Sequence, residues 1–275
     1  MITIPVAVAT PHFKWQISFF QHQHFKVYGE EAKNKALIPI INRNHFKDKP
    51  VHSVDWNLKL PYVIVDSVLD MYSKTESIYI PTNCYTALKQ VLQYIDDEEH
   101  IELCDSDMPH IKPYTGGLPG DNEIYADARY EPWHMFISTP EGKNREIINK
   151  YLKHSDEGYM NGGSNIIAKV STMKKIIDEV IEVGMSIADE YPNTNHSWWQ
   201  SMYAINVACH NNRIKMIDSD SCYYPNVNEL DINKHHIVHY SCDPLFKKSD
   251  FPNIDITKFP NNIFYNSIKD WLYNA

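Results

Sequence analysis

Short apolar runs of strand length alternate with amphipathic stretches at helical spacing along the whole chain, and that alternation restricts it to layered α/β architectures. Residues 4–9 read as the first strand, and 15–25 as a helix after the break at Thr10-Pro11. Residues 36–41, 62–66 and 78–81 read as further strands. Residues 86–94 carry Leu88, Val91 and Leu92, with Ile95 just beyond, on one helical face. They lead to a short strand at 100–103, which runs directly into Cys104-Asp105-Ser106-Asp107. Open α/β sheets bind ligands at the carboxyl ends of their strands, so these polar residues stand where a site is expected.

Further on, 114–122 is turn-rich and reads as a mobile loop. Residues 143–153 and 171–190 are expected helices, the second capped at Ser171 or Thr172. Residues 196–211 form another, carrying Trp198 and Trp199, which cannot both face inward on one helix. Strands are expected at 214–217 and 236–240, and a last short helix at 267–273. The organisation expected is one domain over 1–248, with 249–275 as an extension packing on it.

Composition narrows the function classes. With 275 residues the chain can bury a large core. A net charge of -9 argues against a broad phosphate-neutralising face, though not against a local basic groove. Five widely spaced cysteines without a C-x-x-C pair point away from a disulfide framework or a structural zinc site. The amino terminus enters a strand at once, and no run approaches the roughly 20 apolar residues of a membrane span. A cytoplasmic protein without membrane attachment is the expectation.

Three groups of residues can do chemistry. Asp105 and Asp107, one residue apart at a strand end, can converge on one hard divalent cation and its phosphates. A solvated turn is the plainer alternative for so short a motif. In His235-His236-Ile237-Val238-His239, strand alternation separates His236 from His239, and one imidazole could complete a shell begun by the aspartates or simply pack. Gly162-Gly163-Ser164 permits close backbone approach to a ligand and equally suits an ordinary turn. The chain contains no dinucleotide fingerprint, P-loop, G-x-S-x-G or H-E-x-x-H.

Taken in order, several segments resemble the hydroxyproline O-arabinosyltransferases and peptidyl-serine galactosyltransferases. Val8-Ala9-Thr10 with Lys14-Trp15-Gln16 is similar to the family's first strand and its Lys-Trp-Gln step. Residues 101–110 (IELCDSDMPH) resemble its acidic metal segment. Gly162 and Ser164 before Ile166-Ile167 resemble its Gly-Asn-Ser-Pro-Val-Ile segment. Trp198 with Met202-Tyr203-Ala204, and Ile237-Val238-His239-Tyr240, resemble two late elements. The family's glutamate before Met-Tyr-Ala falls on Ser201, with Gln200 beside it.

The resemblance implies a GT-A glycosyltransferase: a Rossmann-like α/β fold with a central mixed sheet flanked by helices. It implies retaining transfer from a UDP-sugar, with UDP-arabinose or a UDP-hexose as donor and Mn²⁺ or Mg²⁺ as cofactor. Asp105, Asp107 and His239 would hold the metal. Thr10, Trp15, Gln16 and Ser106 would contact the nucleotide, and Gly162, Gly163 and Ser164 the sugar side. Gln200 joins the two aspartates as a catalytic candidate. For the acceptor, a compact chain without an anchor suggests 5-hydroxymethylcytosine in phage DNA. A hydroxyproline or serine of a peptide, or a glycan, is the alternative acceptor. A nucleotide-binding module without turnover and a metal-dependent hydrolase are the readings from other classes.

Overall fold

The computed structural model describes residues 1–9, 11–41, 56–66, 81–127, 143–154, 165–191, 195–219, 221–223, 231, 233–239, 255–258, 261 and 263–274. Nine strands occur among them: β1 (Ile2–Val8), β2 (Ile38–Ile41), β3 (Tyr62–Val65), β4 (His100–Asp105), β5 (Glu123–Ala126), β6 (Ile166–Lys169), β7 (Lys215–Asp218), β8 (Cys222–Tyr223) and β9 (Ile237–Val238). The helices are α1 (Pro11–Tyr28), α2 (Ala32–Lys35), α3 (Asn83–Leu92), α4 (Lys143–Tyr151), α5 (Val170–Glu190), α6 (Asn195–Asn211) and α7 (Ile263–Asn274). The first seven strands make one mixed sheet in the order β3-β2-β1-β4-β6-β5-β7, and β8 and β9 pair separately.

The chain divides into two compact units. One comprises Met1, Val65–Leu103 and Gly117–Asp220. Here β6 runs antiparallel to both β4 and β5, while β5 and β7 run parallel. Helix α5 buries Met173, Ile176, Ile177, Val180 and Ile187, the stripe that its sequence spacing specifies. Gly184 lies on that stripe for a steric reason. A Cβ there would stand 2.5 Å from the Thr82 hydroxyl oxygen and 3.5 Å from the Ala204 Cβ.

The other unit comprises Ile2–Ile64, Cys104–Gly116 and Ser221–Ala275. Strand β1 is buried from Thr3 onward, which suits a strand covered on both faces. It pairs in parallel with β2, Ala7 opposite Ile40 and Val8 opposite Ile41, and α1 makes the crossover that a parallel pair requires. Helix α7 lies on α1. Phe19 on α1 packs with Tyr265, Ile268 and Trp271 of α7 and with Val238, and the Phe19 and Trp271 rings are 5.4 Å apart. Polar ties fix the pair: the Gln23 amide donates to the Ser267 carbonyl, and His22 and Lys26 both reach the Asp270 carboxylate.

Several expectations shift. Strand β4 continues through Cys104 to Asp105 rather than ending at Leu103, and α7 starts earlier than residue 267. Strand β5 was not legible: four residues after a turn-rich stretch are too few to show a period. Neither Ser171 nor Thr172 caps α5. The cap is Lys169, the last residue of β6, without a side-chain cap bond. The first helix amides are satisfied by backbone instead, Val170 donating to the Glu99 carbonyl and Ser171 to that of Asp97. The strand expected at 78–81 has residues 78–80 outside the described set.

Candidate metal centre

Two short-range contacts shape the acidic turn. Asp105 is the final residue of β4, and the chain folds back at once, with the Met108 amide donating to the Asp105 carbonyl at 3.0 Å. Met108 is fully buried, and its sulfur lies 3.4 Å from the Asp105 amide. The two carboxylates that leave this turn differ sharply: the Asp107 side chain is 3% exposed and that of Asp105 43%.

The chain after the turn is stitched to β9, which ends just before His239. Val238 donates to the Pro109 carbonyl at 3.1 Å, Ile111 donates to that of His236 at 2.8 Å, and His110 faces Ile237 in an antiparallel bridge. This pairing delivers His239 to the aspartates. Its Nε2 is 3.7 Å from Asp105 Oδ2 and 3.8 Å from Asp107 Oδ1. One donor atom from each of the three residues lies within 4.8 Å of the others.

Two donors that are each about 2.1 Å from a shared ion stand roughly 3 to 4 Å apart, so this set fits a divalent cation without large movement. Its chemistry fits as well. Two carboxylates and an imidazole suit Mn²⁺ or Mg²⁺, and a cation relieves the repulsion between the neighbouring carboxylates.

His236 and His239 serve different neighbours. The His236 ring stands edge-on to those of His110 and Tyr114, with centroids 5.3 Å and 4.8 Å away. His110 is itself fully buried, hydrogen-bonded to the Tyr28 hydroxyl at 2.8 Å and to that of Thr3 at 3.5 Å. Sequence reasoning did not anticipate these contacts of His110 with Tyr28 and Thr3. The two partners are 82 and 107 residues away, and no local pattern encodes such a pairing.

The remaining sequence-derived site residues disperse. Gln16 is buried, and its side-chain carbonyl accepts the Ser106 hydroxyl at 2.5 Å, so both residues face each other inside the unit. Trp15 packs toward Trp271, ring centroids 6.3 Å apart. Gln200 lies on α6 in the first unit, buried, with no hydrogen-bond partner for its side-chain carbonyl among the described residues. Trp199 beside it is half-buried. Thr10, Gly162, Gly163 and Ser164 lie outside the described residues.

A sequence model described as the hydroxyproline O-arabinosyltransferase family N-terminal domain matches residues 5–217. The chain belongs to the hydroxyproline O-arabinosyltransferase family. The matched segment of this family contains Gln16, Asp105, Ser106, Asp107 and Gln200, whereas His239 lies beyond it. No curated protein matches the chain. Among solved structures, an active-site glutamine-to-glutamate mutant of LgtC is similar at 13% identity and a TM-score of 0.55, covering 99% of this chain and 95% of that one. The apo bifunctional glycosyltransferase WbbM is similar at 13% identity and a TM-score of 0.53, covering 100% of this chain and 50% of its own length. The fold is therefore the GT-A glycosyltransferase fold, a mixed sheet with flanking helices. By family and fold this arabinosyltransferase relative is a glycosyltransferase. No helix among its described residues is long and apolar enough to cross a membrane.

Proposed function

We propose that this chain transfers a sugar from a UDP-sugar, either UDP-arabinose or a UDP-hexose, to a hydroxyl group with retention of anomeric configuration. It does so with Mn²⁺ or Mg²⁺ held by Asp105, Asp107 and His239. The observation that supports this most directly is the convergence of those three donor atoms within 4.8 Å at the carboxyl end of a central strand. A divalent cation bound there would neutralise charge developing on the diphosphate as it leaves the sugar.

The protein's own residues divide the work. Asp107, buried beside the Met108 turn, would be the fixed anchor for the cation, and the half-exposed Asp105 would supply the second carboxylate. His239 would add an imidazole where a third carboxylate would gather more negative charge beside an anionic nucleotide. By the family resemblance, Thr10 and Trp15 would contact the nucleotide, and Gly162, Gly163 and Ser164 would serve the sugar side. Retention follows from front-face attack: the acceptor oxygen bonds to the anomeric carbon, the bond to the UDP oxygen breaks, and that oxygen takes the acceptor's proton. No protein nucleophile is required.

For the acceptor, 5-hydroxymethylcytosine in DNA is the first hydroxyl to test. A hydroxyproline or serine of a peptide, or a glycan, is the alternative, supported by the matching family and by the net charge of -9. The test incubates the full chain with Mn²⁺, UDP-arabinose or a UDP-hexose, and each acceptor, and follows the products by mass spectrometry. Addition of one pentose or hexose to one acceptor, abolished by EDTA, is the expected result. Undiminished transfer in excess EDTA would overturn the metal assignment. Absence of both transfer and UDP release with every donor would favour a binding module instead.

A further inference from the structure

Gln16 matches the family's Lys-Trp-Gln step, which by resemblance alone would put it on the nucleotide, yet its side chain is turned to another task. It is 3% exposed, and its carbonyl oxygen accepts the hydroxyl of Ser106, itself 1% exposed, across 90 residues of sequence. Ser106 is the residue between the two aspartates. Wherever its side chain is held, the Cα–Cβ bonds of Asp105 and Asp107 are held too, because a two-residue turn leaves little freedom between them.

We propose that Gln16 is a positioning residue for the acidic turn, fixing through Ser106 the directions in which Asp105 and Asp107 present their carboxylates to a divalent cation. The inference rests on the metal reading above and adds a residue that acts on the turn, not on the nucleotide.

The rest of this unit supports that role. Gln16 sits on the first turns of α1, and α1 is pinned by α7. The Trp271 indole donates to the Ser18 hydroxyl at 3.3 Å, and the Asp270 and Ser267 ties follow along the same helix face. The carbonyl of Gln16 is therefore presented from a braced helix. On the far side of the turn, His110 is held by Tyr28, from the last turn of the same helix. Helix α1 thus grips the acidic segment at two points, Gln16 on the turn and Tyr28 just beyond it. Partners that orient metal-holding side chains change metal affinity about 10- to 100-fold when removed.

The test compares full-length wild type with Gln16→Met, Gln16→Glu, Ser106→Ala and the Gln16→Met/Ser106→Ala double variant. Met keeps the side-chain length without an acceptor, and Glu keeps an acceptor oxygen. Free Mn²⁺ is counted by electron paramagnetic resonance, and melting is followed in EDTA. The expected result is Mn²⁺ binding weakened about tenfold or more in Gln16→Met and in Ser106→Ala, with the double variant no weaker than either. Gln16→Glu should bind near the wild-type level, and melting in EDTA should fall by only a few degrees in the single variants, leaving them folded at the temperature of the Mn²⁺ titration. Wild-type Mn²⁺ affinity in Gln16→Met and Ser106→Ala would overturn the proposal, as would losses that simply add in the double variant. A raised KM for UDP-sugar with Mn²⁺ binding unchanged would return Gln16 to the nucleotide and also overturn it. Failure of wild type itself to bind Mn²⁺ would instead sink the metal reading on which the proposal stands. If Gln16→Met does not fold, Ser106→Ala against Ser106→Thr makes the same comparison.

Discussion

Asp105 and Asp107 stand one residue apart and live in different surroundings, one half-exposed and the other almost fully covered. Their substitutions should differ accordingly. Asp107→Ala removes the fixed anchor and should lower turnover by at least about a hundredfold, the scale on which removal of a group opposing developing charge is felt. Asp105→Ala should cost less in turnover and show more of its effect as a higher Mn²⁺ requirement. Steady-state rates over a Mn²⁺ titration check both, and equal activity of Asp107→Ala and wild type would refute the assignment. At this scale the sequence singled out the two carboxylates and His239, and the structure brings one donor atom of each within 4.8 Å of the others. Acidic residues at a strand end declare themselves locally. The roles of Gln16, Tyr28 and His110 were hidden, because each depends on a partner at least 82 residues distant.

Among elements, α5 offers a test in which two local rules oppose each other. Alanine is favoured over glycine in a helix interior by roughly 1 kcal/mol. At Gly184, however, the added methyl would meet the Thr82 hydroxyl oxygen at 2.5 Å. Overpacking of this kind costs about 1–3 kcal/mol, so Gly184→Ala should lower the denaturant midpoint, and Thr82→Ser, which keeps that hydroxyl, should not restore it. A stabilised Gly184→Ala would show that packing there is looser than described.

The α1–α7 pair gives a pH-dependent test. Hydrogen bonds from Lys26 and then His22 hold the Asp270 carboxyl below its ordinary value. A depressed carboxylate contributes stability that is present above its unfolded pKa, near 3.9, and is lost as pH falls through the lower folded value. Asp270→Asn should therefore reduce the unfolding free energy by up to about 1 kcal/mol at pH 7, a modest effect because the pair is partly solvated. The deficit should shrink toward zero as pH falls below about 4. A deficit that persists in acid would mean that the substitution acts through packing. The extent of α5 was legible from its apolar spacing, expected at 171–190 and found at Val170–Glu190, whereas α1 runs from Pro11 to Tyr28, beyond the expected 15–25 at both ends. Sequence spacing failed at β5, which has four residues, and at the cap of α5, where backbone carbonyls replace the expected side-chain cap.

For the molecule as a whole, the α/β class and the GT-A fold were legible because strand-length runs and helical stripes alternate in register with ordered family-like segments. The division into two compact units was not legible. Each unit is assembled from separated stretches of chain, so no linker composition marks the change. Ligand linkage should appear at this scale as well. Saturating Mn²⁺ with UDP should raise the melting temperature by several degrees, since a ligand at about 100 times its Kd contributes about 2.7 kcal/mol. That rise should be absent in Asp107→Ala. The most direct test of the central claim is anomalous scattering at the manganese edge from crystals of the full chain grown with Mn²⁺ and UDP. The account predicts one strong peak within bonding distance of Asp107 and His239, with Asp105 facing it and the diphosphate on its open side. A peak elsewhere, with these three side chains holding no ion, would contradict it.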